Sequence, residues 1–207
     1  MTRVLITAFE PFDRWSENSS WLALLELTRS LPEAPKVVTR RYPVHFAKAK
    51  ERLSEDLAAD YDFALHLGQS SQTGRIELEA IGLNVGGEPG QSPDQFQSLI
   101  PGGPAAYRTA LPLARWASLI REDGIPAQVS YHAGTYLCNA VLYLSQHIAA
   151  EKKLKMRSTF IHLPLAPQQV LSERQNWPTM SSEMCARGVR IILGDLGTAS
   201  SLPGSAW

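Results

Sequence analysis

The chain has 207 residues, enough to bury a full core, and one globular domain over 1–207 is the expected organisation. Hydrophobic residues make up 44% and charged residues 19%, with 20 Lys+Arg against 20 Asp+Glu, which excludes a disordered chain and argues against a binder that neutralises nucleic-acid phosphates. The apolar run in "MTRVLITAFEPF" is too short for a signal segment, no stretch approaches the ~18 apolar residues of a membrane span, and two cysteines do not make a disulfide framework, so a reducing cytoplasm is expected.

Two periods alternate along the chain. "RVLITAF" (3–9) reads as a strand, and "SSWLALLELTRSL" (19–31) as a helix behind a Ser cap, with Trp21, Leu24, Leu25, Thr28 and Leu31 at helical spacing. A strand over 36–44, a helix over 46–60 and a buried strand over 61–69 repeat the unit. "GRIELEAIGLN" (74–84) is strand-like, 86–104 is a long irregular stretch, and "AAYRTALPLARWASLIREDG" (105–124) reads as one helix ending at glycine. Then come a strand in "AQVSYHAG", a helix after Cys138, a strand over 158–166, a helix over 181–193 and a weakly ordered tail over 197–207. The basic cluster "EKKLKMR" (151–157) reads as a solvated helix end. Strand–helix alternation with buried strands implies an α/β sandwich with a mostly parallel sheet and ligands at the carboxyl ends of its strands.

Within "SYHAGTYLCN", a Thr135 cap would put Cys138 in the first turn of the following helix. There the unpaired amides and the helix dipole favour a thiolate, lowering a thiol from its free value of about 8.5 and offering donors to an oxyanion. The competing reading is a small buried hydrophobe, the commonest fate of a free cysteine. A nucleophilic cysteine needs a base, and the candidates are His45, His66, His132, His147 and His162. His147 is two and a half turns along the same helix and points away, and His45 has no obvious partner. His132 is close in sequence, and His162 sits in the apolar run "FIHLPL", where an unpartnered imidazole is costly. An acid that could orient the base is Glu77 or Glu79, on one face of "IELEA", although edge strands also display acids as protection. Phe9 and Phe12, flanking Glu10-Pro11 at a strand end, read as pocket wall or as plain core. Metal-ligand spacings and phosphate-binding glycine motifs are not evident.

Five segments in order resemble one family, the type I pyroglutamyl peptidases (pyrrolidone-carboxylate peptidases): "VLITAFEPF" with "ENSSW", "LGQSSQTGRIELEAIGLN", "GIPAQVSYHAGTYLCNAVLY", "FIHLPLAPQQ" and "PTMSSEMCARGVRII". The resemblance implies a three-layer α/β/α sandwich with a mostly parallel twisted sheet. It also implies a cysteine peptidase that removes an N-terminal pyroglutamyl residue, without cofactor or metal, in the cytoplasm, as a dimer or tetramer. By position it makes Cys138 the nucleophile, His162 the general base and Glu79, not Glu77, the residue that orients the histidine. Phe9 and Phe12 match the aromatic positions that hold the pyrrolidone ring, and Gln69 the position whose main chain contacts the lactam. The sequence departs from the family pattern at Ala8, Asp13-Arg14, Ser19 and Ala80, and carries "GGEPGQSPD" where the family has an "ARIPDN"-like segment. Two other readings stand beside a peptidase: a cysteine amidohydrolase for another acyl group, and a non-catalytic ligand-binding homologue.

Overall fold

A computed structural model describes residues 1–198. Eight strands and five α-helices follow the alternation: β1 (Arg3–Phe9), α1 (Ser19–Thr28), β2 (Lys36–Tyr42), α2 (Phe46–Asp56), β3 (Phe63–Gln69), β4 (Ile76–Glu79), β5 (Ile81–Leu83), β6 (Ala106–Arg108), α3 (Leu113–Glu122), β7 (Ala127–Ser130), α4 (Leu137–Glu151), β8 (Arg157–Leu163) and α5 (Ser182–Thr198). Six strands form one sheet in the order β2-β1-β3-β8-β4-β7, and β5 pairs with β6 in a separate antiparallel ribbon. Strands β1, β2, β3 and β8 run parallel, whereas β4 lies antiparallel to β8 and parallel to β7. No helix among the described residues is long and apolar enough to cross a membrane.

The pleat of the central strands sorts side chains into two layers, because successive residues point to opposite faces. Val4, Ile6, Phe63, Leu65, Leu67, Ile76, Leu78, Ile161 and Leu163 pack with residues of α1, α3 and α5 in one core. Leu5, Phe9, Ala64 and Phe160 pack with α2 and α4 in the other. The polar residues of these strands fall on the second face: Thr7, His66, Glu77, Glu79 and His162 occupy the positions between the first-layer apolar ones. Burying them there demands partners. Thr7 Oγ1 and His66 Nδ1 are 2.8 Å apart, and Thr159 Oγ1 donates to the Glu79 carbonyl at 2.8 Å.

Several sequence expectations are corrected by tertiary contacts. The segment 105–124 is not one helix: Ala106–Arg108 pairs with Ile81–Leu83, and the helix starts only at Leu113, after Pro112. Residues 74–84 divide at Ala80, whose N–H donates to Ser130 O and whose carbonyl accepts from Thr109 N, so the chain leaves the main sheet there. The cap of α1 is Asn18 rather than serine; its Oδ1 accepts from Ser20 N at 3.0 Å, and its Nδ2 donates to Glu10 O. The last helix runs to Thr198 instead of ending at 193, and the tail expected over 197–207 lies outside the described residues beyond that point. The long stretch 86–104 holds a short 3-10 turn at Pro93–Gln95 and a Gly86–Gln97 bridge. Asn84 closes its base, donating to Ile100 O and Gly103 O and accepting from Ile100 N.

His66 is fully buried, and burial pushes its imidazole down to about 3. It is therefore neutral in the fold but takes a proton below about 6.5 when unfolded, so stability is present above 6.5 and lost as pH falls toward 3. Denaturant unfolding at pH 7 and pH 4.5 is expected to differ by on the order of 2 kcal/mol from this residue alone. His66→Gln, which can keep the Thr7 bond, is expected to remove that part of the slope; an unchanged slope would contradict the assignment.

Candidate active site

Three elements converge at the carboxyl ends of β1, β3 and β8. Gly134, in the left-handed region with φ 78°, turns the chain out of β7, and α4 begins at Leu137 with Tyr136 at its N-cap. The expected Thr135 cap is thus displaced by one residue, and Cys138 is the second residue of the helix. Tyr136 makes no side-chain capping bond, so the first-turn amides are left to other acceptors. Cys138 is half-buried, over Gly68 of β3. A Cβ at Gly68 would come within 2.4 Å of the Phe160 ring and 3.3 Å of Cys138 Sγ, which explains why this position carries no side chain.

His162, on β8, is 8% exposed and lies between two polar partners. One partner is Cys138. The other is Glu79 Oε1, 2.7 Å from Nδ1 on a carboxylate that is only 1% exposed. Burial disfavours the imidazolium, but the negative charge and hydrogen bond of Cys138, joined by those of Glu79, overcome it and raise the group to about 10. Phe160 tilts against the imidazole at 4.9 Å between ring centres, closing it from the sheet side.

The other candidate histidines are engaged elsewhere. His45 caps α2, accepting from Lys48 N; His66 bonds Thr7; His132 Nδ1 accepts from Gly134 N; and His147 lies 3.0 Å from the Tyr107 hydroxyl. Cys185 is buried in the opposite core, where burial pushes its thiol up to about 12. Among the described residues, the one group of acids and histidine whose donor atoms come within 4.8 Å of one another is Glu77, Glu79 and His162. There Glu79 and His162 are already bonded to each other, and we assign the group no ion.

Beside Cys138 a small pocket is lined by Phe9, Phe12, Asn18, Val44, Gln69, Tyr136 and Leu137. Phe9 is nonetheless mostly core, 3% exposed, and packs with Leu5, Tyr42 and Phe160. The Gln69 side chain supports the wall: its Oε1 accepts from Ser19 N at 2.8 Å and Gln169 Nε2 at 2.9 Å. Tyr136 packs edge-on against Phe46 and lies near Glu88, and Gly87 N donates to Thr135 O, which ties the pocket to the long 86–104 stretch.

Asn139 is a site residue that the pattern of apolar spacing does not single out. It is fully buried, accepts from Leu83 N at 2.8 Å, and donates to Leu83 O and Val85 O at 2.9 and 2.8 Å. This clamp holds β5 against the first turns of α4, where a Cβ at Gly82 would meet Tyr143 N at 2.7 Å. The local sequence signal for Asn139 is a polar residue directly after the cysteine, in the otherwise apolar first turns of the helix over 137–144.

A thiol at a helix start, an imidazole and a carboxylate on neighbouring strands of an α/β sheet are the arrangement of a cysteine hydrolase. Comparison with known proteins is more specific. Residues 2–196 match the family model described as pyroglutamyl peptidase. The chain is 35% identical over 203 residues to the pyrrolidone-carboxylate peptidase of Streptomyces coelicolor, covering 93% of this chain and 91% of that one. It is 34% identical to the Pyrococcus furiosus protein of the same name, covering 92% and 96%. The pyrrolidone carboxyl peptidase of Fervidobacterium islandicum superposes with a TM-score of 0.89 at 33% identity, covering 95% of this chain and 98% of that one. The chain belongs to the pyroglutamyl peptidase family, a family of cysteine-type peptidases.

Asn139→Ala is expected to cost roughly 3 kcal/mol in denaturant unfolding, because it orphans three part-buried main-chain groups, Leu83 N, Leu83 O and Val85 O; a loss under about 1 kcal/mol would contradict the clamp. In the folded protein, iodoacetamide at neutral pH is expected to label Cys138 and spare Cys185. Equal labelling of the two would count against a selectively activated thiol.

Proposed function

We propose that the chain is a cysteine peptidase that removes an N-terminal pyroglutamyl residue from peptides through Cys138, His162 and Glu79. Family membership supports the reaction class, and the single observation that carries the site is the 2.7 Å hydrogen bond between Glu79 and His162, whose imidazole also feels the charge of Cys138. A pyroglutamyl group offers a neutral lactam in place of an ammonium, so its pocket calls for apolar walls and main-chain hydrogen bonds, not a carboxylate. Phe9, Phe12, Val44 and Tyr136 supply such walls beside the sulfur, and the Gln69 main chain is the element assigned to the lactam.

The chemistry follows from the charges. The Cys138 thiolate attacks the carbonyl that joins the lactam to the next residue, and the developing oxyanion is met by first-turn amides of α4. His162, charged beside the thiolate, gives its proton to the departing amine as the carbon–nitrogen bond breaks, leaving a thioester on Cys138. Acylation removes the sulfur's negative charge, one of the causes that raise His162, while burial and Glu79 remain. The imidazole is then free to act as base, taking a proton from the water that attacks the thioester; the acid leaves, and the proton returns His162 to its charged form against the regenerated thiolate. Glu79 holds Nδ1 throughout, keeping the other ring nitrogen aimed at the sulfur. The whole chain serves as one hydrolase domain in this reading, in a cytoplasm that keeps both thiols reduced, and the family likeness carries a dimer or tetramer with it.

The test is hydrolysis of a fluorogenic pyroglutamyl amide. Wild type is expected to release the fluorophore and Cys138→Ala to lose the activity by at least about a thousandfold; no release by wild type, or release unchanged in the variant, sinks the reading. Because His162 must be charged when the amine leaves, activity is expected to be lost as pH rises through about 10. A rate that stays flat to pH 11 would remove His162 from the proton-donating step.

A further inference from the structure

We propose that Glu77 is a positioning residue for His162, its carboxylate forming with Glu79 a two-anion cradle that fixes the basicity of the imidazole. This rests on the reading of His162 as the acid and base of Cys138. In the antiparallel pairing of β4 with β8, Glu77 is the residue directly opposite His162, while Glu79 is opposite Phe160. Directly opposed residues place their Cβ atoms about 5 Å apart on the same face of the sheet. The imidazole leans along the strand to bond Glu79, yet donor atoms of Glu77, Glu79 and His162 all remain within 4.8 Å of one another.

Glu77 is also held in place. Gln128 Nε2, across the parallel β4–β7 pairing, donates to Glu77 Oε1 at 2.7 Å, and Arg75 Nη1 donates to Gln128 Oε1 at 3.3 Å. A half-buried acid fixed from the side away from the histidine is not a solvated edge charge. The groups that face the imidazole are Cys138 from α4 and Glu79 and Glu77 from β4; His66 of β3 lies behind the Phe160 ring, and β7 presents only the neutral Gln128 amide with Arg75 behind it. Two carboxylates on one imidazolium act on both halves of the cycle through one quantity. They favour the charged form that donates to the amine, and they make the neutral form a stronger base toward water.

The test is titration of the His162 ring by NMR in the otherwise intact chain, alongside the alkaline limb of pyroglutamyl-amide hydrolysis. Glu77→Gln keeps an acceptor for Gln128 and removes only the charge. It is expected to lower the His162 midpoint by roughly half a pH unit or more, with the alkaline limb moving by the same amount. Glu77→Asp, which withdraws the charge by one methylene, is expected to fall between wild type and Glu77→Gln. A midpoint unmoved in both variants overturns the proposal, and a purely structural role for Glu77 would leave it unmoved. If the midpoint moves but wild type hydrolyses no pyroglutamyl amide, the cradle stands and the peptidase reading fails; if hydrolysis is normal and the midpoint does not move, the reverse holds.

Discussion

The hydrogen bond from His162 to Glu79, 2.7 Å long and almost wholly out of water, sets the terms for everything around it. An ionised carboxylate and an imidazole taken from water lose solvation that only each other and close neighbours can replace. The fold meets this by running β4, together with its parallel neighbour β7, against the other four strands of the sheet. If β4 ran parallel to β8, as β3 does on the other side, the register that sets Glu77 against His162 and Glu79 against Phe160 would not exist. Main-chain bonds then pin the end of β4: Thr159 Oγ1 to Glu79 O, Ala80 N to Ser130 O, and Thr109 N to Ala80 O. The bulky Phe160 side chain that shields the pair needs space beneath Cys138, and Gly68 is the position that yields it.

Cys138 is placed by a second, largely independent device. A helix start offers amides and dipole wherever it occurs, but it must be aimed. Gly134 turns the chain, Gly68 lets the sulfur approach the sheet, and Asn139 bolts the first turn of α4 to β5. Through β5 the same clamp reaches Asn84 and the base of the 86–104 stretch, and Gly87 N donates to Thr135 O just ahead of the helix. The segment 86–94 is thus joined to the start of α4 at Thr135 and, beside Glu88, at Tyr136, while Asn139 holds the strand that leads into it.

How much of this was legible in the sequence depends on the range of the interaction. β1 was read at its true bounds, Arg3–Phe9, because its apolar, β-branched run ends in a turn and its signal is local. Residues 105–124 were read as one helix because helical spacing from 113 onward ran back into "AAYR", and the pairing of Ala106–Arg108 with Ile81–Leu83 is a long-range contact with no local trace. The helix cap moved from Thr135 to Tyr136 since a left-handed Gly134 reorients the turn. Among the histidines, spacing alone left five choices. The family likeness singled out His162 and Glu79, and the pleat explains physically why those two meet: both lie on the α4 face of adjacent strands. Asn139, Gly68 and Glu77 act by cross-strand or close-packing geometry, which no single-chain periodicity carries.

The mechanism proposed for Cys138 requires a covalent intermediate on that one sulfur. Rapid-quench mixing of the protein with a pyroglutamyl amide, followed by intact-mass and peptide mapping, tests it most directly. The expected result is an acyl adduct of one pyroglutamyl group, formed with the burst of released amine and confined to the peptide that carries Cys138. Amine release with no adduct, or an adduct on Cys185, would contradict it.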